Sequence, residues 1–409
     1  MSKKLTVICL INFLIAALMG LALRYSFVGN IGVNYRFLTH AHSHVAMLGW
    51  VYLMLFTLIV HYFIPNKKPV FNKLFWITEF AVIGMMLSFP FQGYAVISIS
   101  FSTLHIFCSY YFVYLVWKYH KTESLVTQYL LKTALIFMVL STFGVWCLGP
   151  AVSMLGQTSA FYQIAIQFFL HFQFNGWFLI AVIAVFFHLF QVEYSKLFRC
   201  FFKLLIVSTI LTLALPVQWF APHNLLFYFN GFGTILQLIM GYFFVKLIQP
   251  KFFAVLKQQS RFVLYLYWFS IFCFALKIGM QLLALFPEFS QIVYTHRNLV
   301  IGFIHLLMLG VITGFLFSFI LQSTLVTYTK SLYIGVYTFI FGFILTELLL
   351  AIQGMRFYFG NGLLPNYYLL LFLFSILLPL GITFLLFNII TCKKSCNTNH
   401  KSDIKHYNH

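Results

Sequence analysis

Twelve long apolar stretches, each nearly free of charge, follow one another along this chain with only short polar breaks between them. A helix pairs its backbone N–H and C=O groups internally, so it can cross a bilayer, and it needs roughly 20 apolar residues to do so. The runs fall near 4–24, 38–63, 74–96, 99–118, 128–149, 159–190, 200–219, 225–248, 262–286, 298–323, 331–353 and 367–391. Hydrophobic residues fill 62% of the 409 positions and charged residues 8%. A soluble globule of this length could not hide so much apolar surface and still show water a polar skin. The expected fold class is all-α: a polytopic membrane protein with about twelve transmembrane helices in one bundle over 1–392, then a cytoplasmic basic tail at 393–409. No small-residue cleavage site follows the first run, which reads as a retained helix.

The net charge of +19 invites a nucleic-acid reading, but the placement of the charge excludes it. Lysines gather in alternate breaks, at Lys3, Lys4, Lys67, Lys68, Lys73, Lys118, Lys121, Lys196, Lys203, Lys251, Lys257 and Lys330, and again in the tail. The other set of breaks carries no lysine. That asymmetry is the positive-inside bias that orients helices in a membrane. It puts both termini in the cytoplasm of a bacterial-type inner or plasma membrane, with the lipid bilayer as the main surrounding. The seven cysteines form neither a disulfide framework nor a zinc pattern: Cys392 and Cys396 fall in the tail region, and the rest lie in apolar helices as small hydrophobes.

Six histidines stand inside the apolar runs or at their outer mouths: His40, His42, His44, His171, His223 and His305. Ionisable groups in lipid are expensive and usually face a protein interior where something binds them. Histidine is the commonest metal ligand and a frequent axial ligand of heme iron. These residues come from segments two, six, eight and ten, all of which start on the outer side, so four helices bring imidazoles to one half of the bundle. His40 and His44 are one turn apart and share a face, while His42 points elsewhere; spacing does not choose between the two faces. Four arginines also stand at the outer ends: Arg24, Arg36, Arg297 and Arg356. Arg36 and Arg297 shortly precede histidines, and guanidinium pairs well with carboxylates such as heme propionates. Lys277, Glu347 and Glu79 are the remaining intramembrane charges. Lys277 and Glu347 lie at equal depth with opposite sign, which suggests a buried ion pair, the favoured reading, or one stage of a proton path. His61, His105, His120 and His188 carry no expected role. No inverted repeat is evident and the histidines do not cluster at the midplane, so a transporter reading is set aside.

The order of these motifs resembles subunit I of the heme–copper oxidase superfamily, most closely the cbb-type oxidases and bacterial nitric oxide reductases. The carriers are Thr39-His-Ala-His-Ser-His-Val-Ala-Met-Leu-Gly-Trp50, His171-Phe-Gln-Phe-Asn-Gly-Trp-Phe-Leu179, Ala221-Pro-His-Asn-Leu-Leu226 and Phe303-Ile-His-Leu-Leu-Met-Leu-Gly310. The resemblance covers segments two to ten. It implies a low-spin heme b held by one of His40, His42 or His44 together with His305, with Arg36 and Arg297 on the cofactor, and possible copper on His171 and His223. It implies respiratory electron transfer, or oxygen or nitric oxide reduction, with a cytochrome or quinol donor and partner membrane subunits. Two positions depart from the pattern. Phe303 stands where the family has the histidine of its catalytic heme, and Asn224 where it has a copper ligand. Complete oxygen reduction is therefore not implied, and the catalytic residues are unassigned. The His42-Ser43-His44 start is also similar to membrane heme- and copper-containing proteins of the nitric-oxide response, which implies a non-enzymatic role in sensing, buffering or delivery.

Overall fold

A computed structural model describes residues 1–65, 68–257 and 260–392, with the side chains of 251–257 and of Arg297 outside the described set. The basic tail, 393–409, lies outside the described residues. Among the described residues twelve helices are long and apolar enough to cross a membrane: α1 Lys3–Tyr25, α2 Tyr35–Phe63, α3 Pro69–Gln92, α4 Val96–Tyr119, α5 Leu125–Leu155 and α6 Ala160–Leu189. They continue as α7 Lys196–Gln218, α8 Asn224–Pro250, α9 Arg261–Leu283, α10 Asn298–Gln322, α11 Lys330–Tyr358 and α12 Tyr367–Thr391. A surface helix, Pro287–Thr295, joins α9 to α10. No strand occurs among the described residues. The expected all-α bundle is the observed one.

Local chemistry sets most of the starts. Asn34, Ser124, Ser159, Ser195, Ser260 and Thr329 each accept a hydrogen bond from the backbone N–H three residues on. Each cap satisfies a donor the helix cannot pair internally. Gly93, at φ 60°, breaks what reads as nearly continuous apolar sequence between α3 and α4. The third span runs from Pro69 to Gln92 rather than over 74–96. Its first turn is polar enough to read as a loop, yet Pro69 is a favoured starter and Lys68 settles its amine 4.8 Å from the Tyr119 ring centre at the interface.

Three spans form the core. The apolar centres of α2, α6 and α10 are 78%, 83% and 67% buried, against no more than 56% for any other span. These are the second members of three successive four-span sets. Each carries histidine, four residues and glycine: His44 to Gly49, His171 to Gly176, His305 to Gly310. In each, the α-helix changes to π-helix directly after the histidine, over Val45–Tyr52, Phe172–Phe178 and Leu306–Thr313. A π turn takes one more residue per hydrogen-bonded ring than an α turn, and it is rare outside functional sites. The glycines let flanking helices come close. A Cβ on Gly176 would lie 2.7 Å from Phe137 of α5, and one on Gly310 would lie 2.9 Å from Cys273 Sγ of α9 and 2.8 Å from Phe343 of α11.

The π segments meet one another. Trp50 Nε1 donates to Thr313 Oγ1 at 2.9 Å, and the Tyr52 and Trp177 rings lie 6.1 Å apart. From that level toward the lysine-bearing end the packing is solid: every residue is buried over 47–59, 172–187 and 310–321. Toward the lysine-free end it is not. Only Leu38 and Ala41 are buried within Tyr35–His44, and only Ala165 within Ala160–His171. Flanking helices cover the outward faces of these stretches, as the close approaches of Gly93 to Phe37, Gly144 to Ala165 and Gly302 to Glu347 record. We infer that these half-buried stretches border a space between the three core helices. Its floor is the Trp50–Thr313 level.

Candidate functional site: a histidine-lined vestibule

Within α2 the three histidines turn in different directions. His44 Nδ1 donates to His40 O at 2.8 Å, and Tyr94 Oη lies 3.5 Å from His44 Nε2. The His40 ring meets Tyr94 edge-on at 4.6 Å, and His44 lies 4.5 Å from Phe89. This pair, on one face as the spacing requires, packs on the end of α3. His42 turns the other way, onto α1. Its Nδ1 donates to Ala16 O at 2.8 Å, and its ring fills the space above Gly20, where a Cβ would come within 2.9 Å. A carbonyl can only accept, so Nδ1 carries the proton and Nε2 keeps its lone pair. A backbone carbonyl on the far nitrogen is the usual support of a ligating imidazole.

His305 stands across from α1 and α2 on α10, its side chain 25% exposed to the vestibule. Its Nδ1 lies 3.7 Å from Glu347 Oε1 of α11. Arg24, at the end of α1, is within electrostatic reach of His42, His305, Glu347 and Tyr367. Tyr367 Oη and Glu347 Oε1 are buried with no hydrogen-bond partner. One imidazole with a defined free nitrogen, a second imidazole beside a carboxylate and two unpaired oxygens thus gather within reach of one guanidinium, Arg24.

The structure separates the other expected site residues from this group. Arg36 is exposed at the rim and lies on the His40–Tyr94 side. Arg297 begins the helix that carries His305, and its side chain is outside the described residues. His171 donates from Nε2 to Thr209 O of α7 at 2.7 Å, which leaves Nδ1 as its free nitrogen. His223 is exposed at the start of α8, where its Nδ1 accepts from the Leu225 N–H at 3.2 Å. Among the described residues no three His, Cys, Asp or Glu side chains gather as a metal-binding group.

The expected Lys277–Glu347 pair is not formed. Glu347 faces His305, and Lys277 Nζ has no hydrogen-bond partner. Equal depth puts two residues on one level of a bundle but says nothing of azimuth, and α9 turns Lys277 toward α6 while α11 turns Glu347 toward α10. The sequence singles out Arg24 and Glu347 as an outer arginine and an intramembrane charge but does not assign them to this site. Their signal was present, since each is an ionisable residue inside an apolar span. The repeated His-x4-Gly likewise marked the π segments.

No protein-family model matches the chain, and no curated protein is similar enough to count as a relative.

Proposed function

We propose that this protein is a membrane heme protein of heme–copper oxidase type that carries or stores electrons through a b-type heme held between α2 and α10. The observation that carries the reading is that His42 of α2 and His305 of α10 lie within electrostatic reach of each other and of Arg24, each on a segment that runs into a π-helix. His42 offers Nε2 as the ligating nitrogen, with Nδ1 already tied to Ala16 O. His305 offers its Nε2 while Nδ1 faces Glu347. Arg24 sits where an anionic group reaching the lysine-free end would need a counter-charge.

The residues fit the group. When bound, heme would supply a one-electron iron couple, and His42 and His305 would be the residues that hold it. The protein's part is to hold the two rings, exclude water from below at the Trp50–Thr313 floor, and place positive charge at the open end. Reduction of oxygen or nitric oxide needs an open iron position, and residue 303, where the resemblance would place a second heme ligand, is Phe. The reading therefore stops at electron transfer, from a cytochrome or quinol donor, in a bacterial-type inner membrane with both termini cytoplasmic.

A reduced-minus-oxidised optical spectrum of protein purified from heme-sufficient cells tests it. Sharp low-spin b-type bands are expected, lost in His42→Ala and in His305→Ala and kept in His40→Ala and His44→Ala. Protein that carries no heme overturns the reading, and loss only in His44→Ala overturns the choice of ligand.

A further inference from the structure

Lys277 is fully buried in α9, and its amine has no hydrogen-bond partner. Among the described residues no carboxylate is paired with it. There are six acidic residues. Glu79 is bonded by Asn12 at 2.8 Å and Glu347 faces His305. Glu123 and Glu193 lie in loops at the lysine-bearing end, Glu288 is exposed on the surface helix Pro287–Thr295, and Asp403 is outside the described residues. A buried ammonium without a counter-ion is strongly unfavourable in a membrane interior, so Lys277 either stays a neutral amine or takes an anion or water from outside the chain.

The surroundings of Lys277 are polar along one line. Gln281, one turn further along α9, is buried on the same face with an unpaired Oε1. The facing side of α8 presents Asn230, Thr234 and Gln237, each at most 2% exposed, and Gln237 Oε1 is also unpaired. The two helices are in register here, since a Cβ on Gly241 of α8 would touch Ile278 of α9 at 3.2 Å. This stripe runs up to an open depression of about 440 Å³ at the lysine-free face, lined by Asn224, Phe227, Ala284 and Ser290 among others. Ala284 stands about 10 Å above Lys277 along the helix. At the deep end Lys277 is within electrostatic reach of His171.

We propose that the facing stripes of α8 and α9 form a water-accessible cleft from the lysine-free face, and that its blind end at Lys277 binds a small inorganic monoanion. The ammonium supplies the charge, and the side-chain amides of Gln237 and Gln281 can each turn an N–H toward a bound oxygen or halide. The site is independent of the heme reading.

The test uses full-length Gln281→Cys and Gln237→Cys proteins in spheroplasts, with membrane-impermeant thiol reagents of opposite charge and wild-type labelling subtracted. Both cysteines should react from the outer side, and the anionic sulfonate reagent should react faster than the cationic one. Sodium nitrate, against sodium gluconate at equal ionic strength, should slow the reaction. Adding Lys277→Met should lower the anionic-to-cationic rate ratio about tenfold or more and remove the nitrate effect. If monodisperse protein leaves both cysteines unlabelled, the cleft is wrong. If labelling occurs but neither reagent charge nor nitrate matters, the anion site is wrong.

Discussion

At the scale of residues, the vestibule wall is built by hydrogen bonds to the backbone and by one choice between arginines. Arg24 reaches the His42–His305 group and Arg36 does not. Arg24→Met should therefore weaken heme retention about tenfold, near 1.5 kcal/mol for a lost charge-assisted contact, while Arg36→Met leaves it unchanged. Heme content after graded dilution into detergent checks this, and equal effects would remove the assignment. Asn12 has a different task. Its Nδ2 donates to Gly49 O at 3.2 Å and to Glu79 Oε2 at 2.8 Å, joining α1, α2 and α3 where the first π segment bends. Asn12→Ala leaves a buried carboxyl without its donor and should lower stability by about 1–3 kcal/mol, read as a fall in the thermal midpoint in detergent. Gly310→Ala should do comparable harm, about 1–3 kcal/mol, because the new Cβ meets both Cys273 and Phe343 at under 3 Å. The sequence made these histidines conspicuous but did not say which one faces inward. His42 and His44 lie on different sides of one helix, and both sides are packed by protein.

At the scale of elements, the recurring unit is a span whose outer half is α-helical, whose middle is π and whose inner half is buried on every side. The π turns set the rotation of each outer half against its inner half. Deleting Ala46 from the α2 π segment should let that stretch close as α-helix and turn His42 by about 100° relative to the floor. The expected outcome is a protein that inserts and purifies normally but has lost its heme bands. Wild-type heme content in the deletion would mean that the π geometry does not aim the ligand. The existence and order of the twelve spans were legible, because hydropathy along the chain reports burial in lipid directly. Their ends were less so, as α3 illustrates: interfacial turns such as Pro69–Lys73 are polar yet helical. The π segments were written in the sequence as a thrice-repeated His-x4-Gly, but no pattern of apolar residues distinguishes a π from an α turn.

At the scale of the whole molecule, α1 packs against α12, and Lys3 Nζ donates to Ile390 O at 2.9 Å and Cys392 O at 2.8 Å. The two ends of the described chain are thus held together at the lysine-bearing end. Reporters fused before residue 1 and after the tail should both read as cytoplasmic, and one inserted at the α3–α4 turn as external; opposite sides for the two termini would contradict the span count. Sequence alone determined how many helices there are and where along each one its histidines fall, because these are one-dimensional properties of hydropathy and position along a helix axis. Only the tertiary structure decided what faces what: His42 onto α1, His44 onto the end of α3, and Glu347 toward His305 rather than Lys277. Azimuth around a bundle depends on how neighbouring helices pack and on the added residue of each π turn, and neither is a property of any one segment.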